Sequence, residues 1–365
     1  MPLPPCPPAR AALLTLALWL AGLSPAAAAE GAPRAALVMD GRTGEVLLAQ
    51  NADARLHPAS LTKMMTLYLA FRAAERGEID LAAETVVSAR AAGEPGSGLG
   101  LRAGERVTLR DLVRAVAVGS ANDAATALAE AIAGDEAAFV ARMNRAAAAM
   151  GLEATSFRNA HGLTEAGHRS SARDMARLGR RLRFDFPSRW ALFSRLSAEA
   201  AGRRMAHTNR RFLTGYGGAD GIKTGYTRAA GYTLTASAER GETWVIATVF
   251  GAPSSAARAA RAARLIDAAF ARLPERVAAV PPAPLRDPEA APPRRASGLM
   301  SGVRPLRESR RRPLSGAPAE TARGAGGPRA IPAGGVALSA LRGAAAVVPP
   351  GAAASPLARH GDGGP

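Results

Sequence analysis

Ser60 and Lys63 lie three residues apart in Ser60-Leu61-Thr62-Lys63, a spacing that puts a hydroxyl and an amine on one face of a helix. A serine hydroxyl is a weak nucleophile until an adjacent base takes its proton, so the pair holds the two parts of an acyl-transfer site. Pro58 just upstream predicts that Ser60 opens a helix, whose positive end favours a developing oxyanion and a neutral amine. Lysine is scarce elsewhere: of the 47 basic residues, Lys63 and Lys223 are the two lysines and the other 45 are arginines. Arginine supplies charge and solubility equally well but keeps its proton under protein conditions, whereas a desolvated lysine amine can lose one. The two lysines therefore read as positions where arginine would fail, with a coding bias toward arginine as the plainer alternative.

Lys223 opens Lys223-Thr224-Gly225, followed by Tyr226. Ser-x-x-Lys alone is a weak pattern, expected by chance about one time in ten, whereas Lys-Thr-Gly at either lysine is expected about once in a hundred. Its bland reading is a strand end with a turn glycine. Between the two lies Ser120-Ala121-Asn122, in a break between helical patterns where a short loop can aim two polar side chains into a cleft. The competing reading there is a helix N-cap, a position both Ser and Asn favour.

The elements that must position these residues follow from periodicity. Ala35–Met39 and Glu45–Gln50 read as a hairpin across Asp40-Gly41-Arg42-Thr43-Gly44. Leu61, Met64, Met65, Tyr68, Leu69 and Phe71 recur at mixed three- and four-residue spacing, which predicts a well-buried helix to about Arg76. Further helices are expected at 108–118, 122–133, 135–150, 171–183 and 188–198. Asp220–Gly225, Tyr232–Glu239 and Thr243–Phe250 are rich in Thr, Val, Ile and Tyr and predict antiparallel strands, with a final amphipathic helix over Ser254–Arg272. Strands at both ends of the domain around a helical block imply an α+β fold: one antiparallel sheet flanked by helices, with an inserted all-helical lobe.

The chain has 365 residues, 48% hydrophobic and 21% charged, with net charge +17, enough to build a real core. Residues 1–29 read as an export signal: Arg10, an apolar run from Ala11 to Leu23, and a cleavage site at Ala27-Ala28-Ala29. That run is short of the roughly 20 residues of a membrane span. From Pro274 onward the composition changes: 16 of the 27 prolines fall in residues 274–365, no aromatic residue follows Phe270, and 13 arginines face 6 acidic residues. Such a segment reads as a disordered basic tail, which leaves 30–273 as the folded domain. The tail's charge suits weak contact with anionic envelope surfaces, about 1 kcal/mol per Arg near a charged surface. A single cysteine, Cys6, and five histidines without a His-Glu-x-x-His run speak against a metal centre, and neither metal nor cofactor is expected.

With its neighbours the motif set becomes more specific. His57-Pro58-Ala59-Ser60-Leu61-Thr62-Lys63-Met64-Met65, Asn159-Ala160-His161-Gly162-Leu163, Ser170-Ser171-Ala172-Arg173-Asp174-Met175 and Asp220-Gly221-Ile222-Lys223-Thr224-Gly225-Tyr226-Thr227 together resemble the low-molecular-mass D-alanyl-D-alanine carboxypeptidases. These are penicillin-binding proteins of the serine β-lactamase/transpeptidase-like class, and the resemblance covers about Ala35 to Phe270. It implies an α/β/α sandwich, peptidoglycan stem peptides as substrate, β-lactams as covalent inhibitors, and a periplasmic or cell-envelope location. Ser60 is then the acylated nucleophile and Lys63 its general base. Ser120 relays a proton to the leaving amine, and Asn122 holds the substrate amide and Lys63. Lys223 and Thr224 bind the terminal carboxylate, and Gly225 lets the substrate approach the strand. The backbone N–H groups of Ser60 and Tyr226 form the oxyanion hole. A lysine of ordinary pKa, about 10.4, serves as a base only if desolvated and set near a second cation, for which Lys223 is the candidate. The sequence departs from several relatives at Ala121, where they have Gly, and from some at Tyr226, where they have His.

Three rivals remain beside this reading. A β-lactamase shares the acylation machinery, but no Glu-x-x-Leu-Asn segment is present. A nucleic-acid-binding protein would need its charge interleaved with stacking aromatics, which total 4% here, so nucleic acid is not expected as a partner. A non-catalytic peptidoglycan-binding relative would not require Lys63. His161 and the Arg173/Asp174 pair are expected to be structural.

Overall fold

The computed structural model describes Pro2 and residues 34–285; apart from Pro2, the expected export signal and the tail beyond Leu285 lie outside the described residues. Strands β1 (Ala35–Asp40) and β2 (Val46–Gln50) form the expected hairpin, with Leu37 opposite Ala49. A 3-10 turn, Ala59–Thr62, runs straight into α1 (Lys63–Glu75). The lobe follows as β3 (Glu84–Val86), α2 (Ala89–Ala92), β4 (Arg106–Thr108), α3 (Leu109–Arg114), a π-helical turn Ala115–Gly119, α4 (Asn122–Ala133) and α5 (Glu136–Ala149). Beyond it come α6 (Ala172–Asp185), a 3-10 stretch Pro187–Ser194, the hairpin β5 (Ser197–Ala200) and β6 (Arg203–Ala206), and α7 (Arg210–Gly215). The chain closes with β7 (Ala219–Thr227), β8 (Gly231–Arg240), β9 (Thr243–Ala252) and α8 (Ser255–Phe270).

Five strands make one antiparallel sheet in the order β2-β1-β9-β8-β7, so the two ends of the domain meet at β1 and β9. Strand β9 is buried along its whole length because both faces of the sheet are covered. Trp244, Ile246 and Phe250 face the core shared with α1 and α6, while Val245, Ala247 and Val249 face Ala262, Ile266 and Ala269 of α8. Burial on two faces explains why these strands read as continuous apolar runs rather than alternating ones. Helix α1 runs through the larger core with all but its C-terminal residues buried, which accounts for its mixed apolar spacing.

Two expectations need correction. The lobe is helical apart from the β3–β4 hairpin, whose three-residue strands are too short to leave a period in the sequence. The helix expected at 188–198 is a 3-10 stretch ending at Ser194, followed by β5. Trp190 and Phe193, three residues apart, pack their rings 5.4 Å from each other, as the eclipsed i,i+3 side chains of a 3-10 helix allow. Arg195 is already extended.

The described part of the tail also departs from expectation. Residues 274–285 carry neither helix nor strand, yet they are strapped to the domain. Arg42 donates to the carbonyls of Glu275 (2.8 Å) and Pro274 (3.0 Å), and the Val280 N–H donates to the Arg42 carbonyl (3.0 Å). Arg180 and Arg181 donate to the carbonyls of Val280 and Ala283, and Leu285 packs against the core. The folded unit therefore extends past Leu273. Arg42 is also ion-paired to Asp40 at 2.9 Å, with both side chains almost wholly buried. Replacing Arg42 by alanine leaves that carboxylate buried without its cation and should cost about 3–5 kcal/mol, read as a lower urea midpoint. A loss under about 1 kcal/mol would mean that water reaches Asp40. No helix among the described residues is long and apolar enough to cross a membrane.

Candidate active site

The chain approaches the Ser60 hydroxyl through a left-handed residue. Ala59 has φ 49°, and its carbonyl is met by Gly162, itself at φ 93°, where an added Cβ would lie 2.0 Å from the Ala59 oxygen. Non-glycine residues rarely hold such a conformation unless their surroundings impose it. Ser120, at the end of the π-helical turn, holds a similar conformation with φ 59°, as do Asn51 and Ala201 at φ 49°. Of these four residues, Ser120 is itself among those singled out for chemistry and Ala59 immediately precedes another, Ser60.

Lys63 is fully buried at the start of α1, and its amine meets three oxygens: Ser60 Oγ at 3.1 Å, Asn122 Oδ1 at 2.6 Å and the His161 carbonyl at 2.6 Å. The last two can only accept, so they take two N–H groups of the amine whatever its charge. The remaining tetrahedral direction points at Ser60. It holds an N–H when the amine is charged and the lone pair when it is neutral. A neutral Lys63 is thereby aimed to receive the Ser60 proton. Burial pushes the Lys63 pKa down to about 7, with the carboxylates of Asp123 and Glu94 pulling upward against it. Acylation should accordingly rise with pH through about 7 and level off above it, because protonation below that value removes the lone pair. A pH profile of the acylation rate checks this; a rate flat down to pH 5, two units below a Lys63 pKa of about 7, would rule out Lys63 as the titrating group.

Asn122 opens α4, but it does not cap the helix. The N-cap position is Ala121, which has no side chain to accept a hydrogen bond, unlike Thr108, Asp135, Ser171 and Ser254, which cap their helices. The Asn122 amide is turned instead between Lys63 and the Pro95 carbonyl, 2.6 Å away, which fixes its oxygen toward the amine. Ser120 is buried in the same loop.

Lys223, on β7, is likewise fully buried, and its amine donates to the Thr224 carbonyl at 3.1 Å. Burial holds its pKa well below the ordinary lysine value, and the nearby cations Lys63 and Arg258 lower it further. The influence runs from Lys63 to Lys223; Lys63 itself is lowered by burial, so the expected second cation is not what depresses it. The Thr224 hydroxyl donates to that of Thr208 (2.8 Å). Gly225 brings β7 against the Ser60 turn, for a Cβ there would lie 2.8 Å from the Ser60 nitrogen. Tyr226 is 55% exposed and lies against Tyr232, ring centroids 4.4 Å apart.

Ser60, Lys63 and Asn122 are thus joined by direct hydrogen bonds, Gly225 touches Ser60, and Lys223 shares their electrostatics. Sequence reasoning did not find four residues around them. Asp123, beside Asn122, accepts the N–H groups of Leu99, Gly100 and Leu101 and so ties a loop to the site. Arg258 reaches from α8 to the carbonyls of Gly225 and Thr233. Thr208 and Glu94 lie outside every motif, so nothing in their neighbours marks them. Glu94, Glu136 and His161 also bring two carboxylate oxygens and a ring nitrogen within 4.8 Å of one another. His161 Nδ1 accepts the Leu163 N–H at 3.2 Å, so the proton lies on Nε2, which faces the carboxylates as a donor and not as a metal ligand.

The sequence profile of the S11 peptidase family, described as D-alanyl-D-alanine carboxypeptidase, matches residues 24–254. The chain belongs to that family. One S11 relative, the D-alanyl-D-alanine carboxypeptidase DacF of Bacillus subtilis, is 39% identical over 243 residues, 66% of this chain and 62% of the relative. The chain therefore spans less than two thirds of that protein's length. Penicillin-binding protein 5 from Haemophilus influenzae superposes with a TM-score of 0.63 at 35% identity, over 65% of this chain and 70% of that one. Penicillin-binding protein D2 from Listeria monocytogenes, solved in its ampicillin-bound form, gives 0.57 at 30% identity, over 65% and 96%. The antiparallel sheet flanked by helices is thus the fold of this S11 member and its penicillin-binding neighbours.

Proposed function

We propose that this chain is an exported serine D-alanyl-D-alanine carboxypeptidase that removes the terminal D-alanine from peptidoglycan stem pentapeptides through an acyl-enzyme on Ser60, and that β-lactams acylate the same hydroxyl. The observation that carries the reading is the Lys63 amine, held by two obligate acceptors with its third direction on Ser60 Oγ. Ser60 Oγ attacks the carbonyl of the penultimate residue while its proton passes to Lys63. The negative charge that develops on the carbonyl oxygen is received by the backbone N–H groups of Ser60 and Tyr226. Ser120 passes a proton to the departing amine, D-alanine leaves, and water hydrolyses the ester. Asn122 holds the substrate amide and the base.

Lys223 and Thr224 take the terminal carboxylate. Burial and two cations weaken the hold of Lys223 on its proton; an arriving carboxylate reverses that balance and makes a charge-assisted pair. A free C-terminus is thereby favoured over an amide. Support for export comes from the composition of residues 1–29. The test is release of D-alanine from a synthetic pentapeptide, beside the same peptide amidated at its C-terminus. The wild type should release D-alanine from the free acid, the amide should react at least about tenfold more slowly, and Ser60→Ala should release none. Release by Ser60→Ala at the wild-type rate would sink the acyl-enzyme.

A further inference from the structure

Behind Lys63 lies a carboxylate that the Ser60 chemistry does not use. Glu94, between α2 and α4, has a mostly buried side chain; its Oε1 accepts from the Thr126 hydroxyl at 3.0 Å and its Oε2 lies 3.3 Å from His161 Nε2. That nitrogen carries the imidazole proton, because Nδ1 accepts from Leu163. Glu136 is the other carboxylate in reach, at 3.6 Å, but its oxygens already serve Arg90 and the Ala160 N–H. Of the two carboxylates, Glu94 is therefore the nearer and the less committed neighbour of the His161 Nε2–H. On the same residue, the backbone carbonyl accepts from the Lys63 amine at 2.6 Å. The contacts form a continuous line from Thr126 through Glu94 and His161 to the base.

We propose that Glu94 is a positioning residue for Lys63: it takes the His161 Nε2–H, so fixing the His161 carbonyl on the lysine amine, and places a negative charge behind that amine. The inference rests on the reading of Lys63 as the base of Ser60. A base buried this completely faces a physical problem. Loss of water weakens the amine's hold on a proton, and too weak a base accepts none from serine. Two carboxylates work against the burial, Asp123 from α4 and Glu94. Asp123 is committed to the backbone N–H groups of Leu99, Gly100 and Leu101, which leaves Glu94 as the charge whose removal disturbs the scaffold least.

The other charged groups around the line are accounted for. Lys223 on β7 and His161 both feel Lys63, and His161, lowered to about 3 chiefly by burial, stays neutral throughout the working range. Burial raises the Glu94 carboxyl, as does Glu136 of α5, while the Thr126 hydroxyl, Arg90 of α2 and Lys63 itself lower it.

The experiment measures the rate of acylation by benzylpenicillin against pH, and kcat and KM for a pentapeptide, in the wild type and in Glu94→Gln, Glu94→Asp and Glu94→Ala, each checked for folding by thermal melting. Glutamine still accepts the imidazole proton but carries no charge, so the acidic limb should move down by roughly half to one pH unit. Aspartate keeps the charge and should leave the limb close to the wild-type position. Alanine removes both contributions: the limb should move as in glutamine and kcat should also fall by roughly tenfold, with KM little changed. Limbs at the wild-type pH in both the Gln and Ala variants would overturn the proposal, as would a limb displaced equally in all three. Failure of the underlying reading shows separately, as acylation that survives in Lys63→Arg, however the Glu94 variants behave.

Discussion

Exchange of Lys63 for arginine should abolish acylation: after brief exposure to benzylpenicillin the wild-type chain gains the mass of one penicilloyl group and Lys63→Arg gains none, a loss of at least about 10⁴-fold in rate. The argument concerns one lone pair. Asn122 Oδ1 and the His161 carbonyl occupy two directions of the Lys63 nitrogen and leave the third on Ser60. With its pKa near 7, the amine spends a large part of its time at neutral pH with that direction unprotonated. A guanidinium keeps its protons throughout, and its delocalised nitrogens offer no lone pair. It can still donate to the two carbonyls, so the substitution retains positive charge and hydrogen bonds while deleting the base. Ser60→Ala should also stay unmodified, for want of a nucleophile. An adduct forming on Lys63→Arg at near the wild-type rate would assign the proton to another group, with Ser120 the first to examine.

The chemistry was more legible in the sequence than the conformation that delivers it. Two lysines among 47 basic residues stand out, and each falls in a short motif, so the Ser60–Lys63 pair could be singled out from composition and spacing, while the roles expected of Ser120, Asn122, Lys223 and Thr224 came from the family resemblance. The sheet was legible for a similar reason, since β9 is largely a run of β-branched and aromatic residues and β8 opens on Tyr232, Thr233 and Thr235. Three kinds of feature were not. The His161 contribution is a backbone carbonyl, and a carbonyl is the same atom in every residue. The left-handed backbone of Ala59 and Ser120 arises from tertiary contact, Gly162 against the Ala59 oxygen being one, and neither residue type announces it. The strap at 274–285 has the composition of a tail, without an aromatic residue and with prolines throughout. It is captured by guanidinium groups of Arg42, Arg180 and Arg181, more than 90 residues away in the chain. Local composition reports what a segment can bury by itself and is silent on what distant donors can hold.

The same limit applies to Gly225, where the sequence suggested close approach of substrate and the structure shows close approach of the protein itself. An alanine Cβ at this position would stand 2.8 Å from the Ser60 nitrogen, 3.0 Å from the Ala59 Cβ and 2.5 Å from the Thr233 hydroxyl. The hydroxyl can turn away, at the cost of its bond to the Pro58 carbonyl at 3.3 Å. The Ser60 nitrogen cannot, because it is backbone in the left-handed turn that leads from Ala59 into Ser60. Strand β7 must therefore back away from Ser60, carrying Lys223, Thr224 and the Tyr226 N–H with it. Reacting groups displaced by about 1 Å typically lose about 100-fold in rate, so Gly225→Ala should acylate roughly 100-fold more slowly. Stability should change far less, since alanine is the better strand residue by about 0.5–1 kcal/mol and offsets part of the strain. Gly217→Ala is the matched control: no atom lies within 4 Å of a Cβ there, and acylation should stay at the wild-type rate. If Gly225→Ala acylates within threefold of wild type while melting normally, the contact between β7 and the Ser60 turn is packing only. If it is slow and its control is not, the separation of β7 from the nucleophile turn is itself a rate-determining dimension of the site, set by a residue that contributes no side chain.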